Sequence, residues 1–331
     1  VLYAAVFLAA GALVVAAGAA LARHGDAIAD ITGLGRVWVG SLLLAAATSL
    51  PELGTDVAAV RLGAPNLAVG DLFGSSMANM LILAIVDLWP PRRRVLRSAT
   101  LDHALAACLA IVLTALAALF VLSRPAASFL GVGPGSLLLL ALYVGGTRAV
   151  YRHVRRGEAV KATEATPVPP KLTLRQAMVR FGAAAAVVLA AAPVFAWSAK
   201  GLAKASGLGT TFLGTWLVGL TTSLPELATS LAAVRLGAFD LAVGNLFGSN
   251  AFNMAIFFVL DLVQPGNLFA NLDPNHVLSA LFGMVLTSLG LAAIVYRAER
   301  RWALLEPDSA LMLLAYLLGL WILFTHTAGG L

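Results

Sequence analysis

The sequence predicts an all-α polytopic membrane protein with ten transmembrane helices in two inverted five-helix repeats. Three observations carry that expectation. Of the 331 residues, 60% are apolar and 11% charged, against roughly 25% charged in soluble domains. Ten apolar runs reach the length of about 20 residues that crosses a bilayer. A 33-residue segment occurs twice, at 48–80 and 222–254, with 24 identities and no gap.

The first run, 1–22, lacks a basic start and a small-residue cleavage site, so it reads as a retained helix and not a signal peptide. Runs at 37–62 and 66–89 hold the first copy of the repeat, and runs at 100–122 and 128–150 complete a first half, residues 1–150. The one extended polar stretch, "RHVRRGEAVKATEATPVPPKLTLR" at 152–175, is charged and proline-bearing and marks a cytoplasmic linker over 151–176. Runs at 178–199, 210–236, 240–263, 277–296 and 308–326 form the second half, 177–331. "GLG" at 33–35 and 207–209, with Asp87 and Asp261, extends the repeat on both sides. Five spans per half force the second copy to enter the membrane from the opposite face, an arrangement typical of secondary transporters, whose substrate site lies where the repeats meet.

The net charge of +6 follows from topology. Of the 22 Lys and Arg residues, 18 fall in one set of loops: Arg23, Arg36, the cluster Arg92, Arg93, Arg94 and Arg97, eight residues across 148–180, Arg235, Arg297, Arg300 and Arg301. Arg61, Arg124, Lys200 and Lys204 fall in the other set. The positive-inside rule then places both termini outside, and no nucleic-acid partner is needed to explain the charge. Cys108 is the single cysteine and excludes an internal disulfide, while the five scattered histidines have no metal-ligand spacing. No G-x-x-x-x-G-K-[ST] pattern for ATP-driven pumping is present.

The chemistry sits in "TSLPEL", at 48–53 and 222–227. Proline removes a backbone donor and crowds the carbonyl one turn earlier. Pro51 is therefore expected to kink its helix and free carbonyls near Ala47 and Thr48, and Pro225 to do so near Thr221 and Thr222. Freed carbonyls are tolerated in a membrane where they line a cavity. Thr48, Ser49 and Glu52 share a helix face, as do Thr222, Ser223 and Glu226. Ser75 and Asn79 follow at i and i+4 in the next span, mirrored by Ser249 and Asn253, and Gly74 and Gly248 permit close backbone approach. A lone intramembrane Ser or Thr is usually a packing residue, but an intramembrane glutamate is functional by default, and here two occupy equivalent positions. A carboxylate, hydroxyls and amide oxygens in each half are the donor set that hard cations take. Asp71 and Asp56 are possible additional acids, standing where the second copy has Asn245 and Ser230. Asp87 and Asp261 are expected at helix ends near water, and Arg61 and Arg235 are expected to snorkel at the interface.

The pair "TSLPEL…GDLFGSSMAN" and "TSLPEL…GNLFGSNAFN" resembles the two α-repeats of the calcium/cation antiporter superfamily, specifically its sodium/calcium exchanger branch. The resemblance covers nearly all ten spans. The superfamily's proton/calcium exchangers carry a "GNxxE"-like motif where this chain has "TSLPE". The resemblance implies cation sites built by Thr48, Ser49, Glu52, Ser75 and Asn79 with Thr222, Ser223, Glu226, Ser249 and Asn253. The chain departs from the pattern at Asn253, where some prokaryotic members have aspartate, at Ser76 in place of the asparagine of "GSN", and at Asp71 in place of the asparagine of "GN". Two glutamates alone match one divalent or two monovalent ions, which implies electroneutral two-for-one exchange or recruitment of Asp71.

What the resemblance implies is a secondary active antiporter, not an enzyme, that exchanges Ca2+ or a similar divalent cation for Na+ by alternating access. The first and sixth spans would slide across a core of spans 2–5 and 7–10. Its rival is an H+-coupled exchanger using the same two glutamates. A passive channel would conduct without a counter-ion, and an intramembrane aspartyl protease would need an aspartate at Asn245. No cofactor and no obligate protein partner are expected. The partners are the lipid bilayer and the transported ions, and the expected location is the cytoplasmic membrane of a prokaryote.

Overall fold

The computed structural model describes residues 2–89, 95–125, 127–128, 131–161, 172–205, 222–264, 266–296 and 307–328. Ten helical segments are labelled in chain order: α1 (Leu2–Thr32), α2 (Arg36–Arg61), α3 (Pro65–Leu88), α4 (His103–Ser123), α5 (Pro134–Lys161), α6 (Leu174–Ala205), α7 (Leu224–Leu236), α8 (Phe239–Val263), α9 (His276–Tyr296) and α10 (Pro307–Ala328). Eight of them are long and apolar enough to cross a membrane; α5 and α7 fall outside that set. The second half of α5 carries Arg148, Arg152, Arg155 and Arg156, and only 13 residues of α7 are described.

Several sequence expectations concern residues outside the described set: Arg92, Arg93 and Arg94, the linker over 162–171, "GLG" at 207–209, the leading part of the seventh span at 210–221 with Thr221, and Arg297, Arg300 and Arg301. The linker itself is shorter than expected, because α5 runs on to Lys161 and α6 begins at Leu174. The first span is longer. It continues through the polar stretch after Leu21 to Thr32, where Arg36 folds back on Asp26 at 2.5 Å and Asp30 at 2.9 Å. Gly33 and Gly35 at φ 64° and 80° make the reversal, a backbone region that favours glycine.

The repeated "RLGA" builds the same turn twice. Gly63 and Gly237 adopt φ 78° and 81°. Ala64 N donates to Ala59 O and Ala238 N to Ala233 O, each at 2.9 Å. Both are Schellman closures, and in each the next helix begins directly after the alanine, at Pro65 and at Phe239. The hairpins α2–α3 and α7–α8 thus share a backbone dictated by a shared sequence.

These hairpins form the centre. In α3 and α8, 72% of the membrane-length window is buried, against 33% in α1 and α6 and 22% in α10. α1 packs chiefly along α6, with Phe7 stacked on Phe195 and Gly11 against the same ring. Two buried aspartates tie the periphery down. Asp87, at the end of α3, accepts from Leu96 N at 2.9 Å and from Ser309 Oγ of α10 at 2.6 Å. Asp261, at the end of α8, accepts from Leu268 N at 2.7 Å, Gly133 N at 2.6 Å and Ser136 Oγ of α5 at 2.5 Å. Both occupy helix ends as expected, but they are 5% and 1% exposed and not at water. Unmatched backbone N–H groups at the neighbouring helix starts need an acceptor where water does not reach.

A second pair of contacts clamps the opposite helix starts. Asp240 of α8 accepts from Thr100 N at 2.8 Å and lies 3.0 Å from His103 Nε2. Its counterpart Asn66 of α3 accepts from Asp273 N at 2.8 Å and lies 3.2 Å from His276 Nε2. The start of α8 therefore lies near the end of α3, so the two central helices run antiparallel.

Candidate functional site

Helix geometry within the repeat positions the polar groups. With a rise of about 1.5 Å per residue, Glu52 stands about 14 Å in from the end of α2 at Arg61, and Ser75 about 15 Å in from the start of α3 at Pro65. They meet: Ser75 Oγ donates to Glu52 Oε1 at 2.7 Å. The matching depth in the second hairpin holds Glu226 and Ser249.

Proline acts differently in the two copies. In α2 the helix passes through Pro51 unbroken, and the irregularity lies upstream, where Val39–Leu44 winds as a π-helix. Such bulges often mark functional sites. In the second copy the helical path is interrupted at Ser223 (φ −88°, ψ 10°), and Pro225 sits in the first turn of α7, where its missing N–H costs little.

The π-wound segment is pressed onto α8 at glycines. A Cβ on Gly248 would fall 2.3 Å from the Ser41 carbonyl oxygen, and one on Gly244 would fall 2.9 Å from that of Val37. Side chains at either position would separate the helices, so the glycines set how deeply the first repeat enters the second. Gly248 thus has the close approach expected of it.

That contact brings the two acids into one site. Glu52 is 1% and Glu226 0% exposed, and each lies within the other's electrostatic reach. Ser49, fully buried, donates to Glu226 Oε1 at 3.2 Å across the repeat boundary and also lies within hydrogen-bonding range of Glu52. Thr48 donates to Ala45 O and to Asn245 Oδ1, both at 3.3 Å, and borders Glu226. Asn79 Nδ2 donates to Asn250 Oδ1 at 2.9 Å.

The remaining oxygens are poised. Glu52 Oε2, Glu226 Oε2, Asn79 Oδ1, Ser223 Oγ, Ser249 Oγ and Asn253 Oδ1 are buried with no hydrogen-bond partner among the described residues. Neither glutamate takes part in an ion pair there; the ion pairs found join Arg36 to Asp26 and Asp30, His103 to Asp240 and His153 to Asp102. Buried carboxylates and orphaned oxygens without cationic neighbours carry a large desolvation cost, which a bare hard cation relieves. Of the ten residues expected to bind cations, nine are buried; Thr222 is half-buried at the start of the described second hairpin.

The sequence reading missed Asn245 as a partner of Thr48, Asn250 as the bridge between α8 and the first repeat, and Ser230, which accepts from Asn245 Nδ2 at 3.2 Å. Asn250 also donates to Ser76 O at 3.2 Å, across the repeat boundary. Their positions within the duplicated segment were a usable signal, since Asn245 and Asn250 lie on the turns flanking Ser249.

Comparison with known proteins follows the same outline. The family description "Sodium/calcium exchanger protein" matches residues 2–151 and 176–325. The inner membrane protein YrbG of Escherichia coli is 30% identical over 271 residues, covering 80% of each chain. The sodium/calcium exchanger MaX1 of Methanosarcina acetivorans is 29% identical over 139 residues, covering 42% of this chain and 38% of its own. A solved structure of the sodium-calcium exchanger NCX_Mj, soaked with 100 mM Na+ and 10 mM Sr2+, superposes with a TM-score of 0.73 at 21% identity, covering 96% of this chain and 97% of that one.

Proposed function

Because the chain belongs to the sodium/calcium exchanger protein family, and is thus a membrane-embedded cation antiporter and not an enzyme, we propose that it exchanges Ca2+ for Na+ by alternating access. The observation that carries this reading is the meeting of Glu52 and Glu226, one from each copy of the repeat, buried and bridged by Ser49. Two carboxylates with surrounding hydroxyl and amide oxygens balance one Ca2+, and calcium takes six to eight oxygen ligands from flexible groups. Thr48, Ser49, Glu52, Ser75 and Asn79 would supply one half of the shell, and Thr222, Ser223, Glu226, Ser249 and Asn253 the other.

In this proposal the chain has ten spans in two inverted halves, residues 1–150 and 177–331, joined by a cytoplasmic linker at 151–176, with both termini outside. The antiparallel run of α3 and α8 supports the inversion. A prokaryotic cytoplasmic membrane is the proposed location, in keeping with relatives from a bacterium and an archaeon. α1 and α6, one-third buried and packed on each other, are the elements that would move across the core. The empty site, carrying two uncompensated charges, resists crossing the low-dielectric interior, and this couples the two fluxes. No cofactor is required by this scheme.

The test is 45Ca2+ uptake by purified protein in liposomes. An outward sodium gradient is expected to drive uptake. Uptake driven by a pH gradient in sodium-free buffer, with no sodium response, would replace this reading by proton coupling, and uptake with no counter-ion would replace it by a channel.

A further inference from the structure

Asn79 of α3 and Asn250 of α8 meet across the repeat boundary, where Asn79 Nδ2 donates to Asn250 Oδ1 at 2.9 Å. Asn250 Nδ2 in turn donates to Ser76 O at 3.2 Å and to Thr287 Oγ1 of α9 at 3.4 Å. Thr287 gives its own proton to Gly283 O at 2.7 Å, so only its lone pairs are left for Asn250. Asn79, Asn250 and Thr287 are all buried.

The direction of this chain is set at its far end. A backbone carbonyl can only accept, so the arm of the Asn250 amide that meets Ser76 O is its NH2. Its oxygen then faces Asn79, which can answer only with its own NH2. Asn79 Oδ1 is thereby left on the other arm, buried with no hydrogen-bond partner among the described residues. An amide without such a constraint can present either end, and only the oxygen is a ligand for a hard cation.

The second copy holds the same ligand without the brace. Asn253, the counterpart of Asn79, has no partner at either Nδ2 or Oδ1 among the described residues. The counterpart of Asn250 is Ser76, whose Oγ donates to Leu72 O at 2.9 Å within its own helix. The threonine anchor is present in both halves. Thr114 of α4 donates to Ala110 O at 2.8 Å as Thr287 of α9 does to Gly283 O, in helices that each start at a histidine, His103 and His276. Anchor and ligand are thus duplicated, and only the amide that joins them is not.

We propose that Asn250 is a positioning residue for cation binding: it fixes the Asn79 amide with Oδ1 offered to the ion and Nδ2 turned away. The proposal deepens the calcium-exchange reading and rests on it for Asn79 as a ligand. Partners that orient a metal ligand hold it in the one geometry that binds, and here the brace reaches from α3 through α8 to α9.

The test is equilibrium binding of 45Ca2+ to the full chain in detergent, for wild type, Asn250→Ser, Asn79→Asp and the two changes together. Asn250→Ser copies the first repeat's residue. A carboxylate offers an oxygen whichever way it turns, so Asn79→Asp removes the need for orientation. Asn250→Ser is expected to weaken calcium binding roughly tenfold or more when residue 79 is asparagine. In the protein carrying Asn79→Asp, the same change is expected to cost no more than about twofold to threefold, and this coupling is what a packing role alone does not produce. Equal fold-losses in the two backgrounds overturn the proposal, as does an Asn250→Ser protein that binds like wild type. Loss of all calcium binding in Asn79→Asp overturns the premise that an oxygen at position 79 meets the ion. If Asn250→Ser fails to fold, Asn250→Leu, which is close in volume to asparagine, takes its place in the cycle with the same expectations. Sodium-driven 45Ca2+ uptake by wild type in liposomes is read beside the cycle. Coupled losses in a protein without sodium-driven uptake would sink the exchange reading and leave the role of Asn250 standing. Sodium-driven uptake with equal losses would sink that role alone.

Discussion

The hairpins α2–α3 and α7–α8 share most of their residues and the same Schellman turn, yet their polar wiring differs. Glu52 is held by Ser75 of its own repeat at 2.7 Å, whereas Glu226 is held by Ser49 of the other repeat at 3.2 Å. Asp56 and Asp71 stand where the second copy has Ser230 and Asn245, which pair through Asn245 Nδ2 at 3.2 Å. The difference teaches that duplicated sequence secures the scaffold and its depth, while a few substitutions decide how each copy is charged. Two scaffolds then meet at glycines, and Ser49 of one reaches Glu226 of the other.

The largest effect should come from the acids that the two copies have in common. Glu52→Gln and Glu226→Gln keep the side-chain volume and remove the charge. Losing one charge of a buried set costs about 3–5 kcal/mol, so each variant should lose sodium-driven 45Ca2+ uptake by roughly a hundredfold or more while remaining folded in a thermal melt. Substantial uptake in one variant and none in the other would break the equivalence of the hairpins.

Next come the positions that hold the copies together. Gly248→Ala places a Cβ 2.3 Å from the Ser41 carbonyl oxygen, a backbone atom that cannot swing aside. Overpacking of this kind costs about 1–3 kcal/mol, to be read as a lowered melting temperature together with weaker calcium binding, since both glutamates depend on the crossing. Gly283→Ala, whose Cβ would meet only Met77 Cγ and Ser76 Cβ at 3.9 Å, should be neutral in the same assay. Asp261→Asn should also lower the melting temperature, because one amide oxygen cannot accept from Leu268 N, Gly133 N and Ser136 Oγ together. A buried donor left unmatched costs about 1–3 kcal/mol, and here calcium affinity should be preserved.

Much of this was legible in the sequence. The all-helical membrane fold and the 174-residue offset follow from residue types at fixed spacing, eight of the ten expected spans are membrane-length helices among the described residues, and nine of the ten oxygen-bearing residues are buried. Other features lay beyond a one-dimensional pattern. The π-winding of Val39–Leu44 has no proline to mark it, and its one glycine, Gly40, shows its meaning only in the fold, where it packs on the backbone of α8 at Leu241. Asp87 and Asp261 looked like water-facing helix ends, because nothing local reveals that Ser309 and Ser136 arrive from distant helices. The pairing of Ser49 with Glu226 depends on the register between two helices, which packing sets and helical spacing alone does not.

The smallest effect separates the two hairpins most finely. Ser75 Oγ donates to Glu52 Oε1 at 2.7 Å, whereas its counterpart Ser249 Oγ has no hydrogen-bond partner among the described residues. In cation-free buffer, Ser75→Ala removes a donor from a buried carboxyl, and a hydrogen bond to a charged group is worth about 1.5–3 kcal/mol and to a neutral one about 1. Ser249→Ala removes nothing of the kind. The first variant should melt a few degrees below wild type without cations, and the second should melt with it. Adding saturating Ca2+ should alter the contrast, because both hydroxyls would then be ligands: each variant should bind 45Ca2+ several-fold more weakly. Equal cation-free melting of the two serine variants would mean that the first hairpin's internal contact carries no weight. A calcium defect confined to Ser75→Ala would mean that the second hairpin contributes its glutamate and not its serine.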